Sequence, residues 1–153
     1  MDDLDRAVDY VEKFLSICKS DSGDVKFEQK KKLTGKAHKK LAELHSKLGN
    51  AAAAIRDLES LLNIAIDDNN KQGQAEAALK LGLLNYKEGL IPTSVNYLGK
   101  HFELVKQMGE SGLVDCARVN LGIAKAQQNV QKFKNLILTD VHELIKFMDD
   151  AKP

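Results

Sequence analysis

Any chemistry in this chain would come from four histidines, two cysteines and the carboxylates near them. His38 and His45 stand seven residues apart, two turns along one helix face. A helical zinc site sets its histidines one turn apart, as H-x-x-x-H or H-E-x-x-H, and adds a third ligand. No third ligand is within reach by sequence, so the two read as a helix-surface pair. His142 and Glu143 in "VHEL" lack a second histidine, and Asp140 with Glu143 reads as a capping pair opening a short final helix. Cys18 and Cys116 have neither a C-x-x-C partner nor a flanking histidine, which reads as two reduced thiols of a cytoplasmic chain. The phosphate-cradling patterns G-x-x-x-x-G-K-[ST] and G-x-G-x-x-G do not occur. No catalytic activity, metal or other cofactor is expected.

Charge is more informative. From Lys26 to Lys40 the chain carries Lys26, Lys30, Lys31, Lys32, Lys36, Lys39 and Lys40 against the single acid Glu28. Nucleic-acid binding would set arginines and aromatic platforms among such lysines, and Phe27 is the one aromatic nearby. The whole chain balances 23 Lys+Arg against 22 Asp+Glu. The run therefore reads either as a solvated linker or as an edge facing an acidic protein surface, and no nucleic-acid partner is expected.

Helices must position these groups. Ala, Leu, Lys, Glu and Gln dominate, and proline occurs only at Pro92 and Pro153. Apolar residues recur at helical spacing nearly throughout, and 153 residues suit one domain, 1–153. Asp2, Asp3, Asp5, Asp9 and Glu12 exclude a secretory signal, and no apolar run approaches the ~20 residues of a membrane span. The pattern predicts an all-α chain of about seven helices. They cover about 2–19, a stretch closed by Gly49-Asn50, 51–66, 71–88, a helix opening at Pro92 and reaching Met108, 113–128, and a last one starting near Val130. Connections of two to six residues imply antiparallel neighbours.

A period of forty residues runs through these helices. "KLAELHSKLGNAAAAIRDLESLL" aligns with "KLGLLNYKEGLIPTSVNYLGKHF" and with "NLGIAKAQQNVQKFKNLILTDV". Ala42, Gly82 and Gly122 share one phase; Ala54, Ser94 and Lys134 a second; Leu58, Leu98 and Leu138 a third. Small residues at one phase let the two helices of a hairpin approach closely, and leucines at another fill the space between hairpins. Ala42, Ala54, Leu58, Gly82, Leu98 and Gly122 are thus the expected packing positions, with Gly89 ending its helix. Residues 1–23 read as the second helix of a partial unit, 24–69 as a unit with a lysine-rich insertion, 70–109 as a full unit, 110–138 as a degenerate one, and 139–153 as a capping helix.

The pattern carried by Leu81-Gly82, Tyr86, Gly89 and Leu98, and again by Leu41-Ala42, Gly49 and Ala54, resembles the tetratricopeptide repeat in its forty-residue variety. The resemblance implies antiparallel hairpins stacked as a superhelix, with the first helix of each lining a concave groove. Residues 100–128 are similar to the C-terminal repeats of ciliary axonemal members such as the outer-dynein-arm docking subunit. That implies a non-catalytic scaffold of a cilium; the alternative is a cytosolic adaptor like the G-protein-signalling modulators or motor-cargo proteins. Carrying the groove positions over gives Lys36, Lys39, Lys40, Glu43 and Lys47, then Glu76, Leu79, Lys80, Leu83, Tyr86 and Lys87, then Cys116, Val119, Asn120, Ile123 and Gln127. The groove would be basic at one end and apolar at the other, suiting a protein or peptide with acidic and aliphatic residues. The carboxylate clamp of chaperone-tail binders is not matched, because Glu43 and Lys80 replace its asparagines. A first helix without its hairpin partner would leave helix 2–19 open to self-association.

Overall fold

Positive-φ residues at regular intervals divide the chain into helices. In a computed structural model describing residues 3–20, 27–139 and 141–150, Gly49 (φ 75°), Asn69 (φ 49°), Gly89 (φ 75°) and Gly109 (φ 77°) recur every twenty residues. Each follows a helix end. The N–H groups of Asn50, Asn70 and Leu90 reach back to the carbonyls of His45, Ala65 and Asn85, each at 2.9 Å. These bonds satisfy end carbonyls that a helix otherwise leaves open. The forty-residue unit is thus two twenty-residue helix-and-turn halves.

The described residues are all helical apart from turns: α1 (Asp3–Lys19), α2 (Phe27–Lys47), α3 (Ala51–Asp67), α4 (Lys71–Lys87), α5 (Ile91–Met108), α6 (Ser111–Thr139) and α7 (Val141–Asp150). Asn50 and Asn70 open α3 and α4 by accepting from the N–H groups of Ala53 and Gly73. Pro92 lies in the first turn of α5, where its missing donor is harmless.

Each helix packs on its sequence neighbours. Between α4 and α5, Ser94 Oγ donates to the Gly82 carbonyl at 2.8 Å and His101 Nδ1–H to the Ala75 carbonyl at 2.9 Å. Lys71 reaches Gln107 at the far end, so the two helices run antiparallel. His38 with Asp57 and Lys31 with Asp68 set α2 against α3 in the same sense. Equivalent helices of successive units also touch: Lys39 of α2 meets Glu76 of α4, and Tyr97 of α5 donates to Glu59 of α3.

The core lies between these pairs. Ala42, Leu58 and Leu81 form one cluster, and Ala75, Val105 and Ala117 a second. Burying a leucine such as Leu81 or Leu98 contributes about 1.5–3 kcal/mol. Gly82 sits where α5 comes closest: a Cβ there would stand 2.6 Å from Leu98 Cγ and 3.2 Å from the Leu98 amide nitrogen. Ala54 is fully buried, and Gly89 ends α4 in open space.

Three sequence expectations change. The lysine-rich stretch is not a linker from Phe27 onward, since Phe27–Lys47 is one helix; Lys26 lies outside the described residues. The break expected between a sixth helix (113–128) and one starting near Val130 is absent, because α6 runs unbroken through Asn129. Gly122 is accordingly not a packing glycine: it is exposed, with no heavy atom within 4 Å of an added Cβ. The reason lies one period earlier. The face of α4 that meets α5 holds Ala75, Ala78, Gly82 and Asn85, and forty residues on stand Asp115, Arg118, Gly122 and Lys125. A returning helix would bury three charges there, and Lys134 would replace the buried Ser94. The proposed capping pair cannot be placed, as Asp140 lies outside the described residues.

Candidate functional site

An open groove of about 510 Å³ lies between α2 and α4, with Leu58 of α3 in its floor. Helical spacing puts Lys39, Glu43 and Lys47 of α2 on one wall, and Lys80, Leu83, Leu84 and Lys87 of α4 on the other. Ala42 and Leu58 close the bottom. Leu83 is 46% exposed and is the apolar side chain most open to an incoming ligand in this groove.

The rim is charged but only partly paired. Lys39 Nζ lies 2.8 Å and Lys80 Nζ 3.1 Å from the same Glu76 oxygen. The hydrogen bond from Lys39, aided by Lys80, holds the Glu76 carboxyl below its usual range, and the same bond raises the Lys39 ammonium. Glu76 and Lys39 are therefore both ionised at neutral pH. Lys40 approaches Glu43 at 3.6 Å. Lys36, Lys47 and Lys87 have no carboxylate within 4 Å among the described residues.

Of the positions expected from sequence, the groove brings together Lys39, Glu43, Lys47, Lys80, Leu83 and Lys87. Lys36 lines an adjoining cleft beside Lys39 and Glu76. Lys40 is exposed and lines neither space; Tyr86 is half-buried outside both. Asn120 and Ile123 lie on α6, away from the groove, with Ile123 half exposed. The basic part of the expected groove is thus lined by α2 and α4, and the expected apolar positions on α6 do not line this space. Leu84 and Ser46 join the lining unforeseen; Leu84 directly follows Leu83, and Ser46 lies one turn beyond Glu43.

The histidine pair is also corrected. His38 and His45 are not on the helix surface: both turn into the α2–α3 interface toward Asp57. His38 Nδ1 is 2.9 Å from Asp57 Oδ1, and His45 Nε2 is 3.7 Å from Oδ2. Asp57 gave no sequence signal because its counterpart forty residues on is Tyr97. His45 Nδ1 is buried without a partner among the described residues. With one carboxylate between two imidazoles, the trio forms an interhelical polar clasp; among the described residues no group of three or more His, Cys, Asp or Glu is arranged to hold a metal ion. No described helix is long and apolar enough to cross a membrane. No protein-family model matches the chain, and no curated protein matches it.

Proposed function

We propose that this chain is a non-catalytic protein-interaction module of the tetratricopeptide kind, a scaffold whose α2–α4 groove receives an acidic, amphipathic segment of another protein. One observation carries the proposal: the accessible Leu83 lies in the groove wall inside a rim of four lysines, two of which have no carboxylate within 4 Å among the described residues. Burial of an aliphatic anchor on Leu83 and Leu84 supplies most of the affinity, at about 25 cal/mol per Å² of apolar surface. Exposed ion pairs add only ~0–1 kcal/mol each. The lysines instead select an acidic flank and speed its approach. The similarity of residues 100–128 to axonemal repeats supports placing the scaffold in a cilium.

The test is a labelled peptide with a glutamate run followed by a leucine-isoleucine pair, titrated by fluorescence anisotropy. The Lys80→Glu/Leu83→Asp variant is expected to bind at least about tenfold more weakly, a loss of ~1.4 kcal/mol, with an unchanged helical circular-dichroism spectrum. Equal binding by both proteins sinks the groove assignment. A pull-down from ciliated-cell extract with the same pair of proteins then tests the axonemal setting, which fails if no axonemal protein depends on the groove.

A further inference from the structure

The α2–α4 groove is one half of a longer trough. Later residues of α2 and α4 line the groove, and earlier residues of the same two helices line a smaller cleft of about 270 Å³. The helices therefore run side by side in one direction, and α3 contributes Leu61, Ile64 and Ala65 to the cleft. Gly35 and Gly73 also line it and add no side chain to narrow it. Lys39 borders both spaces, and its bond to Glu76, a residue shared with Lys80, crosses the trough as a charged bar. Alone, the cleft is smaller than the roughly 300–1,000 Å³ pockets that bury a whole small ligand. It is an extension of the groove. Its charge is unbalanced. Lys31 is held by Asp68 and lies 4.0 Å from Asp67, so the acids at the end of α3 are engaged, and Glu76 is engaged by Lys39 and Lys80. Glu28 stands at the outer mouth beside Lys31 and Lys32 without pairing with either. Lys32 and Lys36, one turn apart on α2 and both exposed, have no carboxylate within 4 Å among the described residues.

We propose that the segment received by the groove crosses this bar and lodges a second group of carboxylates against Lys32 and Lys36, so that one ligand fills both spaces. The inference rests on the groove reading and gives its ligand a length and a charge order. Charge complementarity selects the occupant: seven lysines and three acids line the two spaces together. A neutral or basic segment would leave Lys32, Lys36, Lys47 and Lys87 uncompensated. The bar does not close the way. Lys39 and Glu76 are each 45% exposed, so a passing carboxylate exchanges with Glu76 at Lys39. From Lys32 to Lys47 is fifteen residues of α2, about 22 Å at 1.5 Å per residue. An extended segment spans that with about seven residues at roughly 3.3 Å each. From Gly73 in the cleft to Leu83 in the groove is ten residues of α4, about 15 Å. The aliphatic anchor and this acidic group are thus about four or five ligand residues apart.

Fluorescence anisotropy with labelled peptides and the full chain tests this. Two peptides carry a glutamate pair and a leucine-isoleucine pair separated by a four-residue glycine-serine spacer, in opposite orders. Two more replace the glutamates by glutamine. The Lys32→Glu/Lys36→Glu variant is expected to bind one glutamate peptide, the one whose direction suits the trough, at least about fivefold more weakly than wild type does. It is expected to bind the glutamine peptides as wild type does, with an unchanged helical circular-dichroism spectrum because both side chains are exposed. Lys132→Glu/Lys134→Glu on α6 makes the same change of net charge outside both spaces and is expected to shift affinity by less than about twofold. Glutamate peptides that bind Lys32→Glu/Lys36→Glu as tightly as wild type, or lose no more than with the α6 variant, overturn the inference. The groove reading then still stands if Lys80→Glu/Leu83→Asp weakens binding. A fivefold loss that persists when the spacer is cut to one residue overturns the charge order. Failure of all four peptides to bind wild type brings down the groove reading, and this inference with it.

Discussion

Adding one methyl group at residue 82 or at residue 122 should have opposite effects. Both glycines sit inside helices at the same phase of the forty-residue period, and alanine at either gains about 1 kcal/mol of helix propensity. At Gly82 the new Cβ would press on the Leu98 side-chain branch point and amide nitrogen, so overpacking of about 1–3 kcal/mol outweighs the gain. At Gly122 nothing stands in the way. Urea denaturation is expected to show Gly82→Ala less stable than wild type and Gly122→Ala more stable by up to ~1 kcal/mol. The sequence could not separate the two, because the Leu-Gly pair is identical and the difference lies in whether a partner helix arrives. Histidine placement was equally hidden: a spacing of seven says that His38 and His45 share a face, not that the face is inward. His101, buried against the Ala75 carbonyl, offers a pH test. Desolvation, partly offset by that hydrogen bond, pushes its imidazole below the ordinary 6.5. As pH falls below 6.5 the unfolded chain binds the proton first, so stability falls with acidity until the folded state is protonated as well. Stability measured from about pH 7.5 to about pH 5 should decline less steeply in His101→Gln than in wild type.

Helix boundaries from the end of α2 to Met108 were legible in the sequence because each depends on local chemistry: Gly49, Gly89 and Gly109 at left-handed ends, Asn50 and Asn70 as caps, Pro92 in a first turn. Beyond Met108 the local signal and the tertiary demand separate. Asn129 occupies the next twenty-residue step, and asparagine tolerates the left-handed conformation, as Asn69 shows at φ 49°. Yet helix ends of this kind persist only when the returning helix finds an apolar face, and Asp115, Arg118 and Lys125 deny it one. The N-terminal part of α2 was obscure for the converse reason: its lysines look like linker, but Lys31 reaches Asp68 and the Gly35 position lies under Leu61 and Ile64 of α3. The left-handed ends give a prediction at this scale. Gly89→Ala must hold a Cβ residue at φ 75° and is expected to lose about 1–2 kcal/mol in chemical denaturation. Asn69→Gly relieves the same constraint and is expected to be neutral or slightly stabilising, by less than about 1 kcal/mol. The reverse ranking would mean that these residues do not set the α3 and α4 ends.

At the scale of the whole molecule, the balance of charges conceals a divided surface. The groove side gathers Lys39, Lys47, Lys80 and Lys87 around leucines, while α6 from Lys125 to Thr139 holds three lysines and no acid. The groove's positive character is restrained by Glu76, which occupies Lys39 and Lys80 together. An acidic ligand must compete with that carboxylate or lie beyond it, at Lys47 and Lys87. Glu76→Gln keeps the side-chain shape, frees both lysines and removes a repelling charge. Because the groups are about half exposed, each recovered contact is worth ~0.2–1 kcal/mol. The variant should bind the glutamate-run peptide about twofold to tenfold more tightly than wild type. At high salt, where the Debye length shrinks to about 3 Å, the two proteins should converge on a shared residual affinity set by the aliphatic anchor. Weaker binding by Glu76→Gln would show that Glu76 positions the lysines for the ligand rather than competing for them. Convergence to no binding at high salt would show that Leu83 and Leu84 contribute little and that charge alone holds the peptide.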